Sequence, residues 1–354
     1  MKQIAYEYDK RHIEQYFGKN FFEKFYQYDK ETDELRSGLD VNEPLLLHYI
    51  KTELPASYSN FKEGWVPEIL PRIFYAYLFY KYGKKAFSFE KTLTEMLLET
   101  DLNNVDAEYV KLPFPCVYFD VPANIFKEEL YGRIYSLIGM YVYDMPAENL
   151  SREAKDARIG KERDKYISVH AVLSTGEEIS ENVFTTVLNF DLRLKEGNIF
   201  EQLQENYLRS TFSVIEMDLA DKIISFVINA ILYLNSDKKI IGLVKPKHLD
   251  LLEGKKSPKK QKKLARKFKG KSNLEYYQLG KDIVISHEKK NGTTRVHRSD
   301  KLSSLSTSKQ WIVRGHWRNQ PFGKGLKERK YIWIKPYIKG NEESPLSGKN
   351  YTVK

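Results

Sequence analysis

The sequence predicts an α+β protein: a helical N-terminal region over residues 1–110, a mixed sheet in the middle, and a basic C-terminal β-hairpin region. Three observations carry this. Aromatic and aliphatic residues recur at helical spacing through the first hundred residues. Short β-branched or aromatic runs, bounded by proline or glycine, begin at Cys116. Charge then divides sharply near residue 236.

The helical reading comes first. Tyr16, Phe17, Phe21, Phe22, Phe25 and Tyr26 mark a stripe within residues 6–28. Asn42 is placed to cap a helix that runs to Leu54 and ends at Pro55. Residues 69–82 are crowded with aromatics and stop at Gly83; residues 89–99 repeat the pattern with Phe89, Leu93, Met96 and Leu97. Such stripes are what the burial of one helix face requires, so they are read as core.

Strand signals follow. Residues 116–121 lie between Pro115 and Pro122, and residues 134–143 and 166–173 are further strands, the last ending at the turn residues Ser174, Thr175 and Gly176. Residues 151–165 are charged and read as an exposed loop or helix. Residues 219–234 form a buried helix. The apolar run inside it, broken by Ser225 and Asn229, is too short to span ~30 Å of hydrocarbon. Residues 1–236 are thus one α+β domain, strand-containing over 111–236. Residues 237–354 are a basic C-terminal region, with a flexible Lys-rich segment at 255–271, a strand within 276–286, and a β-hairpin at 311–338.

Composition narrows the class. The chain has 354 residues, 41% of them apolar, which is ample for packed cores. No basic stretch followed by an apolar run opens it, so no signal peptide is expected. The single cysteine excludes an intrachain disulfide and a Cys-rich zinc site. The expected location is the cytoplasm, without membrane contact, metal or cofactor. The net charge of +10 conceals an asymmetry. Residues 237–354 carry 31 Lys+Arg and 10 Asp+Glu, leaving 58 − 31 = 27 and 48 − 10 = 38 before them, net charges of +21 and −11. Either the two parts attract each other, or the basic part meets a polyanion. Basic segments of this density point to nucleic acid, RNA foremost, as partner.

The candidate nucleic-acid residues fall in two groups. Lys255, Lys256, Lys259, Lys260, Lys262, Lys263, Arg266 and Lys267 form a run without an acid. Arg314, His316, Trp317, Arg318, Lys324, Lys327, Arg329 and Lys330 belong to the hairpin. Alternation places Arg314, His316 and Arg318 on one face of its first strand, opposite Trp311, Val313 and Trp317. In the second strand Tyr331, Trp333, Lys335 and Tyr337 share a face, with Ile332, Ile334 and Ile338 behind. A cationic and aromatic front on an apolar back suits single-stranded nucleic acid, because bases stack on rings while cations neutralise phosphates. The alternative is an ordinary amphipathic hairpin with tryptophans in the core.

Catalysis is weighed and set aside. His316 with Arg314 or Arg318, paired with His297 or His248, has the residue types of an RNase. A lone His beside Arg is more often a nucleic-acid contact, and the basic part lacks the clustered carboxylates of metal nucleases. No catalytic residue is assigned, and the chain is read as a non-enzyme.

Four short segments then appear in order: residues 112–120 (Leu-Pro-Phe-Pro-Cys-Val-Tyr-Phe-Asp), 245–248 (Lys-Pro-Lys-His), 277–280 (Tyr-Gln-Leu-Gly) and 314–317 (Arg-Gly-His-Trp). With the tryptophan strand at 331–337, they resemble a family of type V-A anti-CRISPR proteins and their phage and plasmid relatives, over residues 112–340. The resemblance singles out Cys116, Tyr118, Asp120, Lys247, His248, Tyr277 and Gly280, besides Arg314, His316 and Trp317, and implies no catalytic residue. It implies action on production of the type V CRISPR effector nuclease: recognition of the emerging effector polypeptide and loss of its message. The expected function is that of a mobile-element regulatory inhibitor with two partners, a nascent target polypeptide and RNA or ribosome. Two rivals remain, an RNase-like toxin or host-takeover nuclease using His316, and a non-catalytic nucleic-acid-binding accessory protein.

Overall fold

The computed structural model describes residues 5–33, 42–59, 66–123, 125–130, 132–145, 165–175, 185–207, 214–236, 243–244, 274–280 and 311–339. Among them a mixed sheet is covered by helices on both faces, the α+β class expected. The helical part supplies α1 (Ala5–Phe17), α2 (Phe21–Glu31), α3 (Glu43–Glu53), α4 (Pro55–Ser59), α5 (Val66–Lys81) and α6 (Lys91–Leu98). Asn42 caps α3 as expected: its side chain accepts from the Leu45 amide at 2.9 Å. The helix stops before Pro55, but that proline opens α4, since the first turn of a helix needs no amide hydrogen there.

The sheet runs β7-β6-β5-β3-β1-β9-β8, with β4 beside β5. Its members are β1 (Lys85–Phe89), β3 (Cys116–Asp120), β4 (Lys127–Leu130), β5 (Arg133–Met145), β6 (Lys165–Ser174), β7 (Thr185–Leu194), β8 (Leu243–Val244) and β9 (Tyr276–Leu279). At the centre β1 runs parallel to both β3 and β9; the remaining pairs are antiparallel. A helix, α7 (Ile199–Tyr207), precedes the long α8 (Val214–Asn235). A second, smaller sheet orders β12 (Glu328–Ile334), β11 (Gly315–Phe322) and β2 (Thr100–Asp101), and β10 (Trp311–Val313) pairs with β13 (Tyr337–Lys339).

Two readings change. Residues 1–110 are not wholly helical: Phe89 closes β1, and α6 starts only at Lys91. A five-residue apolar strand beside a helix has no periodicity of its own to separate them. β7 is a strand not foreseen, although Leu188, Phe190, Leu192 and Leu194 alternate in it and are buried. Residues 151–164 lie outside the described residues.

Two cores lie against the sheet, one per face. On one, Phe22, Phe25, Tyr77 and Phe79 from the N-terminal helices meet Tyr118, Tyr141 and Tyr143. On the other, Phe226, Ile223 and Ile231 of α8 meet Phe87, Phe119, Val142 and Val169. Strands buried on both sides lose the polar alternation of a half-exposed sheet: β3 reads as a nearly continuous apolar run, and β6 is buried from Tyr166 to Ser174, Ser168 and His170 included. The first core also holds a buried ion pair: Asp9 accepts from Arg72 and, at 3.1 Å, from the Tyr141 hydroxyl.

The described strands beyond residue 236 do not stand apart. β9 sits within the large sheet beside β1, and Trp317 and Trp333 belong to the same core as α8.

Candidate nucleic-acid interface

The hairpin β11–β12 is anchored through its two tryptophans. Trp317 lies directly opposite Trp333, and their exposures are 2% and 3%. The Trp317 indole donates to Asn229 Oδ1 at 2.7 Å, and the Trp333 indole donates to Thr100 Oγ1 at 3.0 Å. Thr100 donates in turn to the Met96 carbonyl, and Asn229 Nδ2 to the Thr100 carbonyl. A closed polar node thus sits in an apolar core, with the buried indole and amide groups paired. Tyr331 faces the same way, donating to the Asn104 carbonyl at 2.9 Å.

This corrects the expected front of the hairpin. Residues opposite each other in an antiparallel pair share a face. The register His316↔Ile334, Arg318↔Ile332 and Gln320↔Lys330 therefore puts the cations of β11 beside the isoleucines of β12, not beside Trp333 and Tyr331. Trp317, expected to contact nucleic acid, and Trp333 are core residues and offer no ring to a base. The cross-strand register was not legible because it depends on where the turn falls, and pairing continues as far as Phe322↔Glu328.

The exposed face that results carries His316, Arg318, Gln320 and Phe322 from β11, and Glu328, Lys330, Ile332 and Ile334 from β12. His316 and Arg318 are exposed, as are Lys324, Lys327 and Arg329 near the turn. Arg314, 71% exposed, interrupts β10 and β11 and approaches Glu99 at 3.8 Å. In residues 311–339 there are eight Lys or Arg and a single acid, Glu328. At ordinary ionic strength exposed charges of this kind act over about 10 Å. Phe322 and Leu326, which sequence reasoning passed over, are exposed at 36% and 61%; an apolar residue next to glycine in a cationic turn was the available signal. The eight candidates from Lys255 to Lys267 lie outside the described residues, as do Lys247, His248 and His297.

The motif positions in the described residues bear on the fold. Cys116 is buried on β3, and burial pushes its thiol up. Tyr118 is buried too, its hydroxyl accepting from the Ala5 amide at 3.2 Å. Its ring crosses Gly139, where a Cβ would overlap the hydroxyl oxygen. Asp120 accepts from Ser88 at 2.7 Å. Tyr277 stacks on Phe87, with centroids 5.1 Å apart. Gly280 has φ +85°, and a Cβ there would meet Leu93 at 2.5 Å. Gly315 lets β11 approach Thr100 and Pro336 closer than any side chain permits. Among the described residues no group of three or more His, Cys, Asp or Glu is arranged to hold a metal ion. No helix among them is long and apolar enough to cross a membrane.

The class so defined is an α+β protein with a mixed, doubly covered sheet and a cationic hairpin locked to its core. Residues 87–340 match the sequence model of the AcrVA2-like family, described as the Anti-CRISPR type V subtype A2 family. The chain belongs to that family. Among solved structures, "Crystal structure of AcrVA2" is similar over 94% of this chain and 98% of that one, with 13% identity and a TM-score of 0.48. No curated protein sequence matches.

Proposed function

We propose that this member of the anti-CRISPR family lowers the level of a target protein while that protein is being made. It recognises the emerging polypeptide, causes loss of the message, and uses its basic C-terminal region to hold RNA or the ribosome. The observation that carries the RNA contact is the exposed hairpin face, where His316, Arg318 and Lys330 stand clear of the tryptophan core beneath them. Membership in a type V anti-CRISPR family supports the inhibitory role and makes a type V effector the first target to try. The excess of acids before residue 237 supports a division of labour, with the polyanion held elsewhere on the chain.

The decisive experiment separates peptide from RNA. Synonymous recoding of the target's first codons keeps the peptide and changes the message; a frameshift across the same stretch does the reverse. Repression is expected to survive recoding and to be lost on frameshifting. The opposite pattern would mean direct RNA readout.

The protein acts in this reading without catalysis or cofactor of its own. Purified protein is therefore expected to leave single-stranded RNA intact, with and without magnesium. Cleavage abolished by His316→Ala would establish the nuclease rival instead.

A further inference from the structure

With both tryptophans buried, the aromatic ring that the β11–β12 hairpin presents to solvent is Phe322, on the same face as His316, Arg318 and Gln320. Lys330 Nζ lies 5.2 Å from its centroid, so the ring already sits in a cationic setting. The turn beyond it is built, not merely permitted. Gly323, Gly325 and Leu326 all have positive φ, at 75°, 72° and 55°. The Glu328 side chain fills the space a Cβ on Gly323 would need, 2.6 Å from its Oε1. The turn raises Leu326 to 61% exposure between Lys324 and Lys327.

We propose that this tip is a single-stranded RNA-binding element in which Phe322 stacks on an unpaired base while Arg318, Lys324, Lys327 and Lys330 neutralise the flanking phosphates. The inference rests on the RNA contact proposed above and names the group that reads it. Eight cations to one acid over residues 311–339 fit a polyanion. From Phe322 the polar run continues to His316, roughly 20 Å along the strand, which suits an extended backbone. Phe322 and Leu326 are the exposed large apolar residues of the hairpin, with Ile332 and Ile334 half-buried beside them, and that is too little apolar area to seat in a membrane. A paired base in an A-form duplex is not splayed out for a ring to stack on, so the ligand is single-stranded.

The test uses the full chain, with wild type, Phe322→Ala, Phe322→Tyr and Lys324→Gln/Lys327→Gln, against labelled oligouridylate, an abasic strand of equal length and anionic vesicles. Phe322→Ala is expected to weaken oligouridylate binding about 10-fold, as loss of one base–aromatic stack predicts. Its salt slope and its affinity for the abasic strand should stay unchanged, and Phe322→Tyr should restore the loss. The lysine pair should lower the slope of log K on log salt by about 0.7 for each phosphate that is no longer neutralised. Wild-type binding that is steep in salt but equal in Phe322→Ala would overturn the stacking role while leaving the RNA contact. Vesicle binding sensitive to Phe322, with RNA binding insensitive to it, would assign the tip to a lipid surface. Failure of the wild type to bind RNA at any moderate salt would remove both readings.

Discussion

Asn229 on α8 and Trp317 on β11 are joined by a buried hydrogen bond of 2.7 Å that ties the basic hairpin to the central helix. The same amide donates to the Thr100 carbonyl at 3.1 Å, so one side chain satisfies two strands of the smaller sheet. Asn229→Leu strands both partners. Each buried orphan costs about 1–3 kcal/mol, so a loss of about 2–5 kcal/mol is expected in urea denaturation. A change below about 1 kcal/mol would mean that water replaces the amide.

The outer face of the same hairpin should behave oppositely. Arg314, His316 and Arg318 are exposed, so changing all three to Ala should alter stability by no more than about 0.5 kcal/mol each. Repression of the target and RNA affinity should both fall. Thermal unfolding and an RNA titration on the same samples measure the two effects; a collapsed fold would place this face inside the molecule.

Gly139 should tolerate no side chain. A methyl group would overlap the Tyr118 hydroxyl and press on the Phe119 carbonyl, where a Cβ would lie at 2.9 Å. Gly139→Ala should destabilise by about 1–3 kcal/mol, the range for overpacking a filled core. The double change Gly139→Ala/Tyr118→Phe removes the nearest atom and should recover part of that loss, read from denaturation midpoints.

Acid should destabilise the protein through His170. The side chain is fully buried on β6, stacks on Tyr75 at 4.7 Å, and shares a 2.6 Å hydrogen bond between Nδ1 and Asn189 Oδ1. Burial pushes its pKa down to about 3. Above about pH 6.5 the ring is neutral in both states and has no effect on pH dependence. As pH falls from there towards 3, the unfolded chain takes up a proton that the folded one refuses. Stability then declines by about 1.4 kcal/mol per pH unit from this group. Asp191, which burial lifts, works the other way as pH falls through its raised folded value, and it does so equally in wild type and the variant. Arg72 and Tyr141 also face the ring, and neither titrates between about pH 5 and 7. His170→Phe keeps the stacking and lets the exposed Asn189 rehydrate, so its stability should fall less steeply than wild type between about pH 7 and 5. Parallel curves would show that His170 charges in the folded state.

Breaking the Asp9–Arg72 pair should be costly. Asp9 is 1% exposed and links α1 to α5 and, through Tyr141, to β5. Asp9→Ala leaves a guanidinium buried without its carboxylate, and a loss of about 3–5 kcal/mol is expected by chemical denaturation. Arg72→Met in the same background should return much of it, because the stranded charge is then gone.

Local chemistry by itself determined a good part of this protein. Asn42 announced the start of α3, the aromatic stripes announced α2 and α5, and the long apolar run announced α8, because caps and periodicity act over a few residues. The division of charge at residue 236 was equally plain, since it needs only a count. The short motifs around Tyr118, Gly280 and Trp317 were enough to suggest the family. Tertiary structure alone decided the rest. β1 joins β3 and β9 from distant parts of the chain, and no local signal states which strands will be neighbours. The tryptophans turned inward and Phe322 outward because cross-strand register, fixed by a turn between Phe322 and Glu328, sets which side chains share a face. Gly139 and Gly315 owe their identity to Tyr118, Thr100 and Pro336, side chains brought against them only when the sheets assemble.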